Sequence, residues 1–568
     1  MPRAATLPRG AGSAGERVPG ASAPAAPAAA WAGSLQPGSL QAACDRAVAR
    51  AREAGHAIVL AVSERAPSAA DPLAVLRELT RPAVRPGAHE RTPGGPGGTE
   101  GTAGAESRFY WEHPAGGFAL AAGGRALGWQ AGGSGRFAAV RAPLEGALAE
   151  AEAWAPPGEQ PLGAYAAGGF AFFDALDGAA WPGFEPADLA LPAWAVLRRA
   201  GPDEAGRPQD EGTHWLVQTA VAGEEEPARV RDRIEAGLAR LRAAGARAAA
   251  CADSLGADPA GGTVAAGGTV AAGGTGPGGA CGTALGGAAG AATRVEGIDP
   301  PHARAHWTGV VRTARDAIRA GGLRKVVLAR TLELDCTPAP DPLTLLARLR
   351  AAYPECACFL TDPGRGQAYL GATPERLARM EGGRASLGAL AGTFPRGATP
   401  AADAVQQRLM LENAKEREEH AIVVDAIVAA LAGCGEVELA EAPEARALKN
   451  AWHLFTPITL VPRAGMSLLE LVERLHPTPA VGGLPRAAAL DAIRRLESFD
   501  RGWYGGPLGW LNARGEGEFA VTLRSGAVAG RHVRLFAGGG IVADSDPERE
   551  YEETRIKFQP LLGALGQE

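Results

Sequence analysis

An α+β fold is predicted for this chain from how its apolar patterns are ordered. Strand-like runs such as RKVVLARTLEL, ACFLTD, AYLGAT and RASLGALAGT follow one another, and helical stretches fall between them without strict βαβ alternation. A hydrophobic share of 46% over 568 residues supplies ample core, and length alone suggests two to four domains.

Taken in order, residues 1–37 are an Ala/Pro/Gly-rich tail without the unbroken apolar stretch of a signal peptide. Residues 38–255 mix strands and helices, with a flexible Gly-rich insertion near 84–106. SRFYWEHPAGGFALAAGG reads as strand, turn and strand, and GAYAAGGFAFFD as a Gly-rich strand pair. ARVRDRIEAGLARLRAA has helical periodicity, with Val230, Ile234, Leu238 and Leu241 on one face. Residues 256–292 are a low-complexity insertion containing GGTVAAGGTVAAGGT, too poor in side chains to offset backbone entropy.

From 300 to 568 the pattern sharpens. A helix near 303–320 leads to RKVVLARTLEL and the strands that follow it, then to one long helix over 402–431. A turn-rich stretch runs through NAWHLFTPITLVP and HPTPAVGGLP. The strands GPLGWLNA, GEFAVTLRSGAV and RHVRLFAGGGIV precede a final helix over 547–565.

Composition excludes some classes of function. The formal net charge is -6, with acids and bases mixed, so no basic stripe points to nucleic acid and no basic amphipathic helix to a membrane surface. No run approaches a membrane span. The seven cysteines form no CxxC pair, which argues against a zinc site or disulfide framework and for reduced thiols in a cytoplasmic protein.

Two helices carry acids where apolar residues are expected. Following the stripe Val405, Leu409, Val423, Ile427 through KEREEHAIVVD lands on Glu416 and Glu419. Inward carboxylates need neutralising, and a hard cation such as magnesium does so with one or two carboxylates plus substrate oxygens. The other reading is a solvated face paired with Lys415 and Arg417. In the last helix, capped by Asp546 with Pro547 in its first turn, Glu550, Glu553 and Lys557 share a face with Leu561. That pattern fits a surface ladder or a metal ligand beside an anion-binding lysine.

Lys325 shares a strand face with Val327 and Ala329, so it is either an inward general base or a lysine that snorkels to water. Glu375, after Pro374, is either a turn acid paired with Arg376 or a protonated acid over a substrate. Gly538, Gly539 and Gly540, read as a loop after a strand, are a plain turn or a set of backbone donors for a carboxylate. Arg524, read as lying within a strand, needs a partner, and a bidentate carboxylate is the natural one.

Together KVVLAR, YLGATPERL, LAGTFPRG, KEREEHAIVVD, HLFTPI, LHPTPAVGGLP, WYGGPLGW, FAVTLRS and FAGGGIVADSDPEREYEETRIK resemble the chorismate-utilising enzymes, which include isochorismate, salicylate, anthranilate and aminodeoxychorismate synthases. The resemblance covers 300–568 strongly and 110–250 faintly. It implies a single large fold like anthranilate synthase component I, with two packed antiparallel β layers, flanking helices and a site for chorismate and Mg2+ between the layers. It implies Glu419 and Glu553 as metal ligands, supported by Glu416 and Glu550. Lys557, Arg524 and Gly538 to Gly540 are implied to hold substrate carboxylates, and Gly392, Thr393, His453 and Tyr504 to line the site.

Within the family, Lys325 together with HLFTPI and LHPTPAVGGLP resembles the isochorismate synthases, and FDRGWYGGPLGWLNARGEGEFAVTLRS the branch serving menaquinone rather than siderophores. Lys325 is then the base that activates water and Glu375 the acid. A salicylate synthase, an anthranilate synthase component I and a non-catalytic chorismate-binding relative are the alternatives. The expected assembly is a monomer or homodimer. AGGGI and GATPE depart slightly from the family's frequent AGAGI and Ser at the Thr position.

Overall fold

The computed structural model describes residues 38–66, 70–81, 106–202, 208–256, 294–297, 301–447, 449 and 451–567. The tail to 37, the low-complexity stretch of 257–292 and nearly all of the insertion near 84–106 lie outside the described residues.

The architecture is α+β, with two large sheets. Among the described residues one has thirteen strands and the other ten. Pairing is antiparallel except where Ile58–Arg65 runs parallel to Glu152–Trp154. Both halves of the chain share the sheets: Ala357–Asp362 pairs with Arg108–His113, and Pro507–Asn512 pairs with Tyr165–Phe170. Alternation along the strands explains the layering. Trp111 and Phe359 point into the core between the sheets, while Tyr110 and Leu360 face the helices on the other side. The helix Pro227–Gly256 packs there through Val230, Ile234, Leu238 and Leu241.

Several elements differ from the pattern reading. The long helix is two, Pro400–Glu412 and Ala414–Ala430, broken at Asn413, whose side chain accepts a hydrogen bond from the Glu416 amide at 3.1 Å. Val405 and Leu409 lie on the first helix, and each is 48% exposed, so the apolar stripe is not continuous. NAWHLFTPITLVP is mostly one long strand, Ala451–Pro462. Its proline is tolerated because Pro457 falls between two short partners, Gly435–Leu439 and Glu444–Ala447, where no ladder donor is required. GAYAAGGFAFFD contributes one strand, Tyr165–Phe170, rather than two.

GEFAVTLRSGAV is broken as well. Gly517–Val521 belongs to the ten-stranded sheet and Ser525–Ala529 to the thirteen-stranded one. Arg524 therefore sits at a crossing between the layers, not in a strand, with φ of 50°. The chain makes the same change of sheet at Pro374 and Glu375, between Ala368–Thr373 and Arg376–Glu381. The two crossings are clamped together: Ala372 N donates to Arg524 O (3.2 Å), and Val521 N to Glu375 O (3.0 Å).

Candidate active site

The clamped crossings form one wall of a cavity between the layers. It is also lined by Lys325, Gly392, Glu419, His453, Tyr504, Gly538 to Gly540, Glu553 and Lys557. Lys325 starts the strand Lys325–Thr337 and is buried, so it does not snorkel to water. Its Nζ donates to Glu419 Oε1 at 2.8 Å. Glu419 comes from the helix Ala414–Ala430, whose Val423 and Ile427 are buried on the same side. The side chain of Lys415 lies outside the described residues, and Glu419 pairs across the cavity rather than along its own helix.

The glycines are not in a loop. Gly538 to Gly540 lie inside the strand His532–Ile541, opposite Ala329, Leu328 and Val327. In an antiparallel ladder alternate residues turn their N–H and C=O away from the partner strand. Gly538 is one of these, since its carbonyl accepts from Lys557 Nζ at 2.7 Å, and Gly540 follows two residues later. The backbone donors expected from a turn are thus presented by the open edge of a strand. A side chain there would also crowd the glutamates. A Cβ on Gly539 would stand 3.1 Å from Glu550 Oε2, and one on Gly540 would stand 3.3 Å from Glu419 Oε1.

Lys557 also donates to Glu553 Oε1 at 2.6 Å, within the helix Pro547–Ala564. Burial raises the Glu553 carboxyl, but Lys557 and Arg524 outweigh it and hold the group below its usual range. Glu550, one turn earlier and behind Gly539, is pushed up to about 7 by burial and then by the charge of Glu553, with Glu419 adding to it. Glu416 is buried and lies against Gly392, whose added Cβ would meet Glu416 Oε2 at 3.0 Å and whose φ is +75°. The side chain of Thr393 lies outside the described residues.

Glu375, in the clamped crossing, is buried and pushed up to about 7 by burial, against the pull of Lys325, Lys557 and Arg524. Arg376 does not partner it; that guanidinium donates to Glu518 at 2.7 Å. Burial lowers the Arg524 guanidinium. His453 Nδ1 lies 2.8 Å from Gly392 O, and burial, then Arg524, brings its imidazole down to about 4, so it is neutral at pH 7. Tyr504 stacks on Phe536, and burial pushes its hydroxyl up to about 12.

Sequence reasoning missed Arg501 and Glu497. Both are buried and paired, and they brace the lysine strand: Arg501 donates to Val327 O (2.7 Å), and Glu497 Oε1 accepts from Ala329 N (2.7 Å). Only Arg501 of FDRGWYGGP gave a signal, a charge inside an aromatic and glycine run. His420 was also missed; its Nε2 lies 2.7 Å from Thr456 Oγ1 beside Glu419.

No three His, Cys, Asp or Glu side chains among the described residues converge into a ready-made cage. Two carboxylates from separate helices, each already neutralised by a lysine, still fit a cation that completes its shell with substrate and water oxygens. Burial first, and then the charges of Glu553 and Glu419, raise the Glu550 carboxyl at the same place.

The family model for chorismate binding enzymes matches residues 99–245 and 292–566. The salicylate biosynthesis isochorismate synthase of Pseudomonas aeruginosa is 43% identical over 265 residues, 46% of this chain and 55% of that protein. Isochorismate synthase MenF of Bacillus subtilis is 42% identical over 267 residues, 46% of this chain and 56% of that one. The chain thus spans about half the length of the curated relatives it matches. The solved structure of MenF, the menaquinone-specific isochorismate synthase from Escherichia coli, superposes with a TM-score of 0.60 over 92% of this chain and 100% of that one. At 22% identity that likeness is one of fold.

Proposed function

Since this chain belongs to the chorismate binding enzyme family, we propose that it is a magnesium-dependent isochorismate synthase, converting chorismate to isochorismate by attack of water at C2 and loss of the C4 hydroxyl. One observation carries the reading. A buried lysine from a strand and, from a sheet crossing, a buried carboxyl pushed up to about 7 line one cavity. An allylic exchange of hydroxyls needs a base on one side of the ring and an acid on the other.

Glu419 and Glu553 would hold the cation, with Glu416 and Glu550 behind them. Bound there, magnesium supplies positive charge that fixes the ring carboxylate of chorismate. Lys557, Arg524 and the outward N–H groups of Gly538 and Gly540 hold the substrate's anionic oxygens. With a cation drawing Glu419 away, the Lys325 ammonium would lose its ion-pair partner and give a proton to solvent, and the neutral amine then takes a proton from the attacking water. Glu375, kept protonated by burial, donates to the leaving hydroxyl. His453 and Tyr504 add to the lining of the cavity.

The motif FDRGWYGGPLGWLNARGEGEFAVTLRS and the likeness to MenF support a role toward menaquinone. No described helix is long and apolar enough to cross a membrane. The unpaired cysteine spacing supports a cytoplasmic setting, and the assembly is read as a monomer or homodimer.

Chromatography of a reaction containing purified protein, chorismate and magnesium tests the activity. Isochorismate alone is expected. Salicylate with pyruvate would make the chain a salicylate synthase, and a fluorescent product on adding ammonia an anthranilate synthase. No turnover would leave a chorismate-binding protein without catalysis.

A further inference from the structure

The isomerisation leaves its two groups in the wrong protonation states. Lys325 ends with a proton gained from water, and Glu375 ends with one lost to the departing hydroxide, which leaves as water. Each turnover must return a proton to Glu375. The ring lies between the two groups, so a direct transfer from Lys325 is blocked while product is bound.

A second cavity touches Glu375 from behind. It is lined by Glu375, His113, Glu355, Arg376 and Arg446, and neither Lys325 nor Glu419 borders it. The main chain of Glu375 is the partition between the two spaces: its N–H donates to Thr373 Oγ1 (3.3 Å), and its carbonyl accepts from Val521 N. The rear cavity reaches the surface, since Glu355 is exposed and the Arg376 and Arg446 side chains are 38% and 41% exposed. Its lining is polar enough to hold water.

His113 brings an imidazole, a group that can both accept and donate a proton, to that lining. It is held in place by Glu518, whose Oε1 lies 2.8 Å from His113 Nε2 and also accepts from Arg376. Glu518 is buried and stays ionised: burial raises it, but His113 and Arg376 bring it down to about 2. That contact fixes the position of the imidazole at the cavity.

We propose that the rear cavity is the proton-return path of the enzyme, with His113 relaying protons from solvent through water to Glu375. In each cycle His113 takes a proton from bulk buffer and passes one along the water to the Glu375 carboxylate, with no other bond changed. His113 acts through Glu375 and does not touch substrate. The proposal rests on the isomerase reading above.

The test uses the full chain with chorismate and magnesium. His113→Ala is expected to lower kcat about tenfold, with KM for chorismate unchanged, and added imidazole to restore kcat in a saturable way. A merely structural histidine gives no such rescue. If His113→Ala does not fold, His113→Gln keeps a donor toward Glu518 without a titrating ring and carries the same kcat test. The path is overturned if folded variants keep the parent's kcat, or lose it without rescue by imidazole. An inactive parent protein would instead sink the isomerase reading, which separates the two failures.

Discussion

The helices Ala414–Ala430 and Pro547–Ala564 face each other across the site with the same device. Each offers a buried glutamate, Glu416 or Glu550, and three residues later a second one, Glu419 or Glu553, that pairs with a lysine. They differ in where the lysine comes from. Lys557 is one turn along from Glu553 on the same helix and is also tied to Gly538 O, so it is an anchor with two fixed partners. Lys325 arrives from a strand, its side chain 3% exposed, and its amine donates to Glu419. Under the proposed function similar carboxylate pairs serve different ends: one side holds, and the other holds and releases a base.

Removing each lysine breaks the comparison most sharply. Lys325→Ala is expected to lower kcat about a thousandfold with folding intact, while Lys557→Ala mainly raises KM for chorismate, by about tenfold. Steady-state assays by chromatography separate the two. Equal effects on kcat would mean that the lysines share a role.

Glu375 stands apart from both helices, and Glu375→Gln should abolish turnover by a similar factor. In the parent protein kcat/KM should fall as pH rises through about 7, where the acid loses its proton. A falling limb displaced far from that pH, measured across a buffer series, would assign the acid elsewhere.

The carboxylates sharpen the symmetry. Glu419→Gln and Glu553→Gln should each weaken magnesium binding about a hundredfold, and Glu416→Gln or Glu550→Gln about tenfold. Calorimetric titration with magnesium and substrate reads this without reference to turnover. Loss on one helix alone would make the site one-sided.

The smallest effect is on stability. The folded Glu550 carboxyl is raised from 4.5 to about 7, so its protonation favours the folded state. That contribution is fully present below pH 4.5 and lost as pH rises through about 7. Without magnesium, thermal melts of the parent should therefore decline across that window, and Glu550→Gln should flatten the decline. An unchanged slope would remove Glu550 from the charge cluster.

Much of this site was legible in the sequence, because it is carried by periodicity. Strand alternation left Lys325 either inward or snorkelling to water, three-residue spacing put Glu416 with Glu419 and Glu550 with Glu553, and the family resemblance chose between the readings. What the periodicity did not carry was tertiary. The stripe through Val405 and Leu409 continued only on paper, since Asn413 caps a new helix. Nothing local marks the sheet crossings that bring Glu375 and Arg524 together, and the glycines read as a turn because a strand bare of side chains has no pattern. Arg501 and Glu497 escaped notice because a buried ion pair four residues apart looks like an exposed one in sequence.

The central claim is that Lys325 activates a water molecule that ends up on the product. Running the reaction in water enriched in the heavy oxygen isotope, with mass spectrometry of isochorismate, tests this directly. The account predicts one labelled oxygen, at C2, in every product molecule, and no labelled product from Lys325→Ala. Unlabelled isochorismate from the parent protein would mean that the hydroxyl migrates within the substrate, and would contradict the roles given to both Lys325 and Glu375.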